Sequence, residues 1–578
     1  MSTSSQTVHG ALDLAAQIDR AGTGLRFLDG QERDTFYAWP VVRDRAAAAA
    51  GALLRAGVKP GDRVVIVLPT DVVFFDAYFG AMWMGAVPVP LYPPVRLGRM
   101  DEYVERTASM VRNVSAVAVV SDARVGRVLG RVIEAARPPL GYLDVSKLNG
   151  APAPRASQDP DALCMVQFSS GTTVDPKPVA LTHAQVLANA NVILERIVEA
   201  NAVDGDPPAA GVSWLPLYHD MGLIGCVLPA LLAPGPLTLI PPERFLLKPA
   251  LWLRAISRWR GTVSPAPDFA YALCVERITD EEMEGVDLSS WSLALNGAEP
   301  IRPATVRAFT ERFAQWGFNP SAMTPVYGLS EASLAVTFTP TLRGPRVVRL
   351  DPDALATGAA VDSNTGTEHV TVGSAFRGFA IELRGPDGAA LPERQIGRLF
   401  ARGPSVMQGY LGRDVQPIVD GWLDTGDLGV IVDGELVITG RAKDVIIQRG
   451  HNHAPHDLER AVDVVEGVRT GCAAAVADLT EDGERVLIFV EVREVREGQA
   501  DACTQAVRAA TGLTPDLVVL LEPGTLPRTS SGKIRRAETL RRFREGTLTP
   551  PRAVTPTMLA GVLATSWLAH LRARWTRP

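Results

Sequence analysis

The sequence predicts a large α/β N-terminal domain containing a β-rich subdomain, followed by a small, mobile α+β C-terminal domain. Three observations carry this. Apolar runs rich in β-branched residues alternate with helix-like segments from Arg43 to about Pro160. After Arg346 the pattern changes to hairpins. Beyond Gly440 a short helix, two strands, a helix and a strand follow in close order.

In the first stretch, DRVVIVLP and SAVAVVSD read as buried strands, and DVVFFDAYFGAMWMGAV and ARVGRVLGRVIEAA as helical segments between and after them. The texture continues through PLTLIPP and GTVSPAP, which read as short strands, and KPALWLRAISRWR, an amphipathic helix. FAIELRGPDGAALPERQIGRLFARG then reads as a hairpin turning at Pro386, Asp387 and Gly388. HDLERAVDVV, CAAAVAD, RVLIFVEV, ADACTQAVRAAT and DLVVLLEP form the terminal unit. The expected boundaries are 1–440, 441–545 and a tail, 546–578.

Composition narrows the function. The 578 residues carry 58 Lys+Arg against 64 Asp+Glu, a net charge of −6, which argues against nucleic-acid binding. Hydrophobic residues make up 46 %, enough for large cores. The five cysteines lie far apart with no CxxC pair, so neither a disulfide framework nor a zinc finger is expected, and a cytoplasmic location fits. MSTSSQTVHG lacks the pattern of a secretory signal. No run reaches the roughly eighteen apolar residues of a transmembrane segment.

The most informative segment is QFSSGTTVDPKPVALTH. Ser169, Ser170, Gly171, Thr172 and Thr173, ahead of Lys177, can wrap phosphate oxygens with N–H groups and hydroxyls; the alternative is a solvated turn. No Walker A pattern occurs. Further on come SWLPLYHDMGLIG, LNGAEPI, PVYGLSEASLAV, DGWLDTGDLG, GRAKDVIIQRGHNHAPHDLE and LPRTSSGKIRR.

From about Phe36 to about Arg541 this ordered set resembles the adenylate-forming superfamily of acyl-CoA synthetases, luciferases and adenylation domains. Within it, WLPLYHDMGLIG, SPAPDFAYALC, NGAEPI and RGHNHAPHDLE are most similar to fatty acyl-AMP ligases. The segment from Arg346 to Gly373 falls where those ligases carry an insertion. The resemblance implies the adenylate-forming fold and formation of acyl-AMP from a fatty acid and ATP. It further implies transfer of the acyl group to the phosphopantetheine arm of an acyl carrier protein, in lipid or polyketide/nonribosomal peptide biosynthesis. The rival readings are an acyl- or aryl-CoA synthetase and a catalytically silent relative.

By that resemblance Glu331 and a loop hydroxyl, Thr172, hold Mg²⁺. Asp427 and Arg441 meet the ribose, or else form an ordinary ion pair. Tyr327 stacks on adenine beside Gly328 and Ser330, while Asn296, Gly297, Ala298 and Glu299 pass its other side. His219 positions the acid, and Asp220 is structural. Lys533, next to Gly532, reaches between carboxylate and α-phosphate. Lys443 is the hinge of the lid.

Three readings are weaker. Ser530 and Lys533 spell SxxK, but without the companion elements of a β-lactamase. His451, His453 and His456 lack zinc spacing. In the tail, Leu559, Val562, Leu563, Trp567, Leu571 and Trp575 recur as an apolar helical stripe, and Arg572, Arg574 and Arg577 follow. The stripe is expected to dock on the enzyme's own body or a second subunit, the alternative being peripheral contact with a membrane or carrier.

Overall fold

The computed structural model describes residues 5–94, 99–169, 176–202, 209–448, 451–480, 483–529, 532–551 and 556–575. Its spine is a nine-stranded sheet ordered Ser374–Ala375, Ala335–Phe338, Met323–Gly328, Leu293–Asn296, Val263–Ala266, Gly211–Ser213, Pro236–Leu239, Gly24–Leu28, Asp34–Ala38. The strands from Met323–Gly328 to Gly24–Leu28 run parallel, and antiparallel strands close both edges. A second, wholly parallel sheet takes Val87–Pro90, Arg63–Val67, Ala118–Ser121 and Gly141–Asp144. Its strands are buried on both faces, which is why DRVVIVLP and SAVAVVSD read as continuous apolar runs.

Helices Trp39–Arg55 and Val72–Trp83 pack against each other beside these sheets. Small residues let them approach, since a Cβ on Gly80 would lie 2.7 Å from that of Ala49. The β-rich part is a five-stranded antiparallel sheet in which Trp422–Val432 is central, with Glu435–Arg441 on one side of it. The Arg346 to Gly373 segment is a hairpin, Val347–Leu350 with Thr367–Val370, whose Val348 and Leu350 pack on Val430, Val432 and Val437. Arg346 fastens it to Asp433 at 2.5 Å.

The terminal unit pairs Val468–Thr480 with Gly483–Val492 and that strand with Leu517–Leu521. Helices Pro455–Val462 and Gln499–Thr511 close over it around Leu458, Val462, Ile488, Cys503 and Val507. ARVGRVLGRVIEAA is two short helices, Ala123–Gly126 and Gly130–Ala136.

The tail departs from expectation only in part. Helix Pro556–Trp575 docks on the chain's own body, against Gly130–Ala136, and of the two stripe residues whose side chains are described Leu563 packs inward and Trp567 does not. Trp567 is 61 % exposed, while Ser566 and Ala569 are buried. Gly130 N–H donates to Ser566 Oγ at 2.8 Å, and a Cβ on Gly130 would lie 1.9 Å from the Ser566 carbonyl oxygen. His570 Nε2 meets the Gly126 carbonyl at 2.8 Å, its ring edge-on to Tyr142. Close approach selects small residues at the seam, which a count of large apolar residues does not capture. Of the stripe, Leu563 packs on the second core beside Ala573; the side chains of Leu559, Val562, Leu571 and Trp575 lie outside the described ones, as does Arg577. Truncation after Pro551 is therefore expected to lower the melting temperature by several degrees, for a loss of about 1–3 kcal/mol. Pyrophosphate exchange should stay near wild type; an unchanged melting curve by differential scanning fluorimetry would contradict the docking.

The N-terminal helix Val8–Ile18 is seated by a buried histidine pair. Val8 N–H donates to His183 Nδ1 at 3.2 Å, so His183 carries its proton on Nε2, facing Gln158. His9 Nε2–H reaches the Ala156 carbonyl at 3.1 Å. Burial pushes His9 down to about 4 and His183 down to about 3. Both are thus neutral when folded, whereas the unfolded chain takes up protons below about pH 6.5. Stability is fully present above that pH and falls as the pH drops toward 4, by up to about 1.4 kcal/mol per pH unit for each histidine. Denaturant titrations at several pH values check this, and H9F should flatten the profile.

Candidate active site

One cavity of about 480 Å³ lies where the nine-stranded sheet, the β-rich sheet and the terminal unit meet. Its walls bring together residues distant in sequence: Ser169, Lys177, Ala298, Tyr327, Gly328, Ser330, Glu331, Arg441, Lys443 and Lys533. Five cations line it (Lys177, Arg398, Arg441, Lys443, Lys533) against three carboxylates (Asp220, Glu331, Asp424), a balance suited to a polyanion.

Each side chain is delivered by a local device. Strands Leu163–Phe168 and Pro178–Thr182 form a hairpin whose neck closes with Ser169 N–H on the Lys177 carbonyl at 2.9 Å. The expected phosphate-binding residues Ser170, Gly171, Thr172 and Thr173 lie outside the described residues. Strand Met323–Gly328 ends in the cavity and carries Tyr327, whose hydroxyl donates to Asp427 Oδ2 at 2.7 Å. A tight turn follows, placing Glu331 with its Oε1 accepting from Tyr410 at 2.8 Å. Burial raises the Glu331 carboxyl above its ordinary value, outweighing the Tyr410 hydrogen bond and the pull of Arg441.

Asp427 is buried, pairs with Arg441 at 3.0 Å and holds Tyr327, so it fixes two residues of the cavity wall. Asn296 is also internal, its Nδ2 3.4 Å from Asp268, and Gly297 packs on Val326 where a Cβ would sit at 2.8 Å. Ala298 does line the cavity, at a φ of +69° that an L-residue adopts at a cost. Glu299 accepts from Phe269 N–H at 2.6 Å and is pushed up to about 7 by burial, then by Asp268.

His219 precedes the turn Asp220–Gly222 and is pushed down to about 4 by burial, so it is neutral near pH 7. Lys533 projects from the terminal unit. Burial and Arg441 lower its ammonium, while Asp220, Glu299 and Asp427 oppose them.

A second, apolar cavity of about 270 Å³ adjoins the first. Leu194, Ile197, Val212, Cys226, Ala230 and Leu237 are among its walls. The two share Gly225 and Pro265. Gly225 lies in a π-helical turn, Leu223–Val227, and a Cβ there would stand 2.8 Å from Leu334 Cδ2.

The profile of the AMP-binding enzyme family matches residues 17–411. The chain belongs to the AMP-binding enzyme family. This AMP-binding enzyme is 35 % identical to a Caulobacter vibrioides protein whose provisional name is acyl-CoA synthetase, covering 94 % of this chain and 96 % of that one. It is 34 % identical to the long-chain-fatty-acid–AMP ligase FadD26 of Mycobacterium marinum, over 88 % and 91 % of the two chains. A solved structure from a study of fatty acyl-adenylate ligases of E. coli and L. pneumophila superposes with a TM-score of 0.85 at 33 % identity, over 93 % and 98 %. The adenylate-forming fold, a large α/β part and a smaller C-terminal part, is thereby shared, and the enzyme is of the fatty-acid–AMP ligase type.

Two residues of this AMP-binding enzyme were not legible as site residues. Asp220, read as structural, lies on the cavity wall and accepts from Ser330 Oγ at 2.5 Å. Tyr410 holds Glu331 and lies beneath Lys177, whose Nζ stands 4.9 Å from the ring centroid. An aromatic between glycines in QGYLG was the only signal. Among the described residues no cluster of three or more His, Cys, Asp and Glu is arranged to hold a metal ion; the His451 side chain lies outside the described ones. None of the described helices is long and apolar enough to cross a membrane.

Proposed function

We propose that this enzyme joins a fatty acid to ATP, forming acyl-AMP and releasing pyrophosphate, and then passes the acyl group to the phosphopantetheine thiol of an acyl carrier protein. The observation that carries this reading is the pairing of a cation-rich cavity with an apolar one through Gly225 and Pro265. A carboxylate at that junction faces the polar side while its chain occupies the apolar side.

A carboxylate oxygen bonds to the α-phosphorus as the bond to the pyrophosphate oxygen breaks. The acid is already ionised at neutral pH, so no general base is required and neutral His219 orients it. Lys533 and Lys177 offset the charge gathering on the phosphates. Tyr327, anchored by Asp427, offers a ring to adenine; Arg441, held by the same carboxylate, stands near the sugar.

Glu331 fits a Mg²⁺ ligand: it is a buried hard-oxygen donor with one oxygen already oriented by Tyr410. With Thr172 it would hold the ion, which when bound supplies charge neutralisation on the phosphates.

The unit 441–545 then acts as a lid turning at Lys443, with 1–440 as the body and 546–578 as a docked tail. Such an enzyme acts in the cytoplasm, where ATP is supplied. The insertion helix Pro352–Ala356 touches lid strand His451–His453, a contact that favours this lid pose. The provisional name of the Caulobacter relative supports a second reading, with free CoA as acceptor. Product identity decides: acyl-carrier with a phosphopantetheinylated carrier, against acyl-CoA with CoA.

Gly225→Leu tests the junction. It should lower kcat/KM for dodecanoate by roughly tenfold to a hundredfold while leaving the KM for ATP near wild type. Equal loss for acetate and dodecanoate would contradict the chain's path.

A further inference from the structure

We infer that Glu102 is a positioning residue for Lys533, clamping the lysine-bearing hairpin onto the body. The inference rests on the adenylation reading above, and Glu102 itself does not line the cavity.

Glu102 lies in the first turn of helix Met100–Asn113, in the N-terminal body. Its two carboxylate oxygens meet two arginines from the far end of the chain. Oε1 is 3.3 Å from Arg535 Nη1, and Oε2 is 2.7 Å from Arg542 Nη2. Arg535 stands two residues after Lys533 and its side chain is only 4 % exposed, so its guanidinium is held and not swinging in solvent. The backbone transmits the hold. Thr529 N–H donates to the Lys533 carbonyl at 2.7 Å, Arg535 N–H to the Pro527 carbonyl at 2.9 Å, and Arg528 bridges Ile534. A shift at Arg535 is therefore passed to Lys533.

Arg542 belongs to helix Arg536–Arg544 and also pairs with Glu538 at 2.6 Å, so the carboxylate grips the helix after the hairpin as well. Arg99 adds a second link across the seam through the Thr525 carbonyl at 3.3 Å. The clamp is releasable. Glu102 remains 39 % exposed, and partly solvated ion pairs are weakened by water and salt. A contact that must break when the lid turns is better made this way than by an apolar interface.

Glu102→Gln keeps shape and removes the charge. In ATP–pyrophosphate exchange with dodecanoate its kcat should fall about tenfold, with the KM for ATP changed less than about threefold, because the lysine is displaced while the body's ATP contacts remain. Glu102→Asp should retain more activity than Glu102→Gln, and the swap E102R/R542E should exceed E102R alone. Raising salt should slow the wild type more than Glu102→Gln. Amide hydrogen exchange over residues 526–536 should quicken in Glu102→Gln, a readout independent of turnover. Unchanged kcat overturns the inference, as does a parallel rise in KM or unaltered protection of the hairpin. Absence of exchange in the wild type with every acid would instead sink the adenylation reading, and hairpin protection would still decide the role of Glu102.

Discussion

Lys533→Ala is expected to reduce fatty-acid-dependent ATP–pyrophosphate exchange at least about a hundredfold, the cost of removing one preorganised transition-state cation, some 3 kcal/mol. The ammonium enters the cavity from a hairpin tied by Thr529 and Pro527, opposite Asp220 and near Glu299. Arg441 on the same wall already pairs with Asp427 and cannot replace it. Because the lysine acts on charge that builds as carboxylate meets phosphate, kcat should fall and the KM for dodecanoate should move little. Transfer of the acyl group from preformed dodecanoyl-adenylate should survive if, as proposed, the lid turns another face to that step. Equal loss in both half-reactions would refute the assignment.

Glu331→Gln should be as severe, about a hundredfold to a thousandfold in exchange rate. The amide still accepts the Tyr410 hydroxyl, so the fold of the turn is kept while the anionic ligand is lost. The loss should be partly reversed by raising the Mg²⁺ concentration, which separates a weakened ion site from a damaged wall. A melting temperature within a degree or two of wild type is expected as well, since the amide keeps the Tyr410 hydrogen bond and avoids the cost of burying a charge. Insensitivity of the variant to Mg²⁺ would contradict the ligand role.

How far the sequence reached can be judged from particular residues. Buried strands announced themselves, because a parallel sheet covered on both faces needs unbroken apolar runs such as RVVIV. Lys533 and Glu331, which the family resemblance singled out, both line the cavity. The partner of Asp427 was legible only as one of two alternatives: the register of Trp422–Val432 with Glu435–Arg441 sets it opposite Arg441, as an ion pair. Asp220 was read as structural and Tyr410 was not singled out, since each is tied to a partner more than seventy residues away, Ser330 or Glu331. The tail was legible in part: a docked helix was expected and Leu563 packs inward, but Gly130 admits Ser566 at the seam and Trp567 stays exposed.

Adenylate formation is read out by exchange of labelled pyrophosphate into ATP, measured with the full chain and a panel of acids from acetate to hexadecanoate plus benzoate. Exchange should depend on the acid, be strongest for aliphatic chains able to pass Gly225 into the apolar cavity, and vanish without Mg²⁺. Exchange supported by no acid in the panel would contradict adenylate formation.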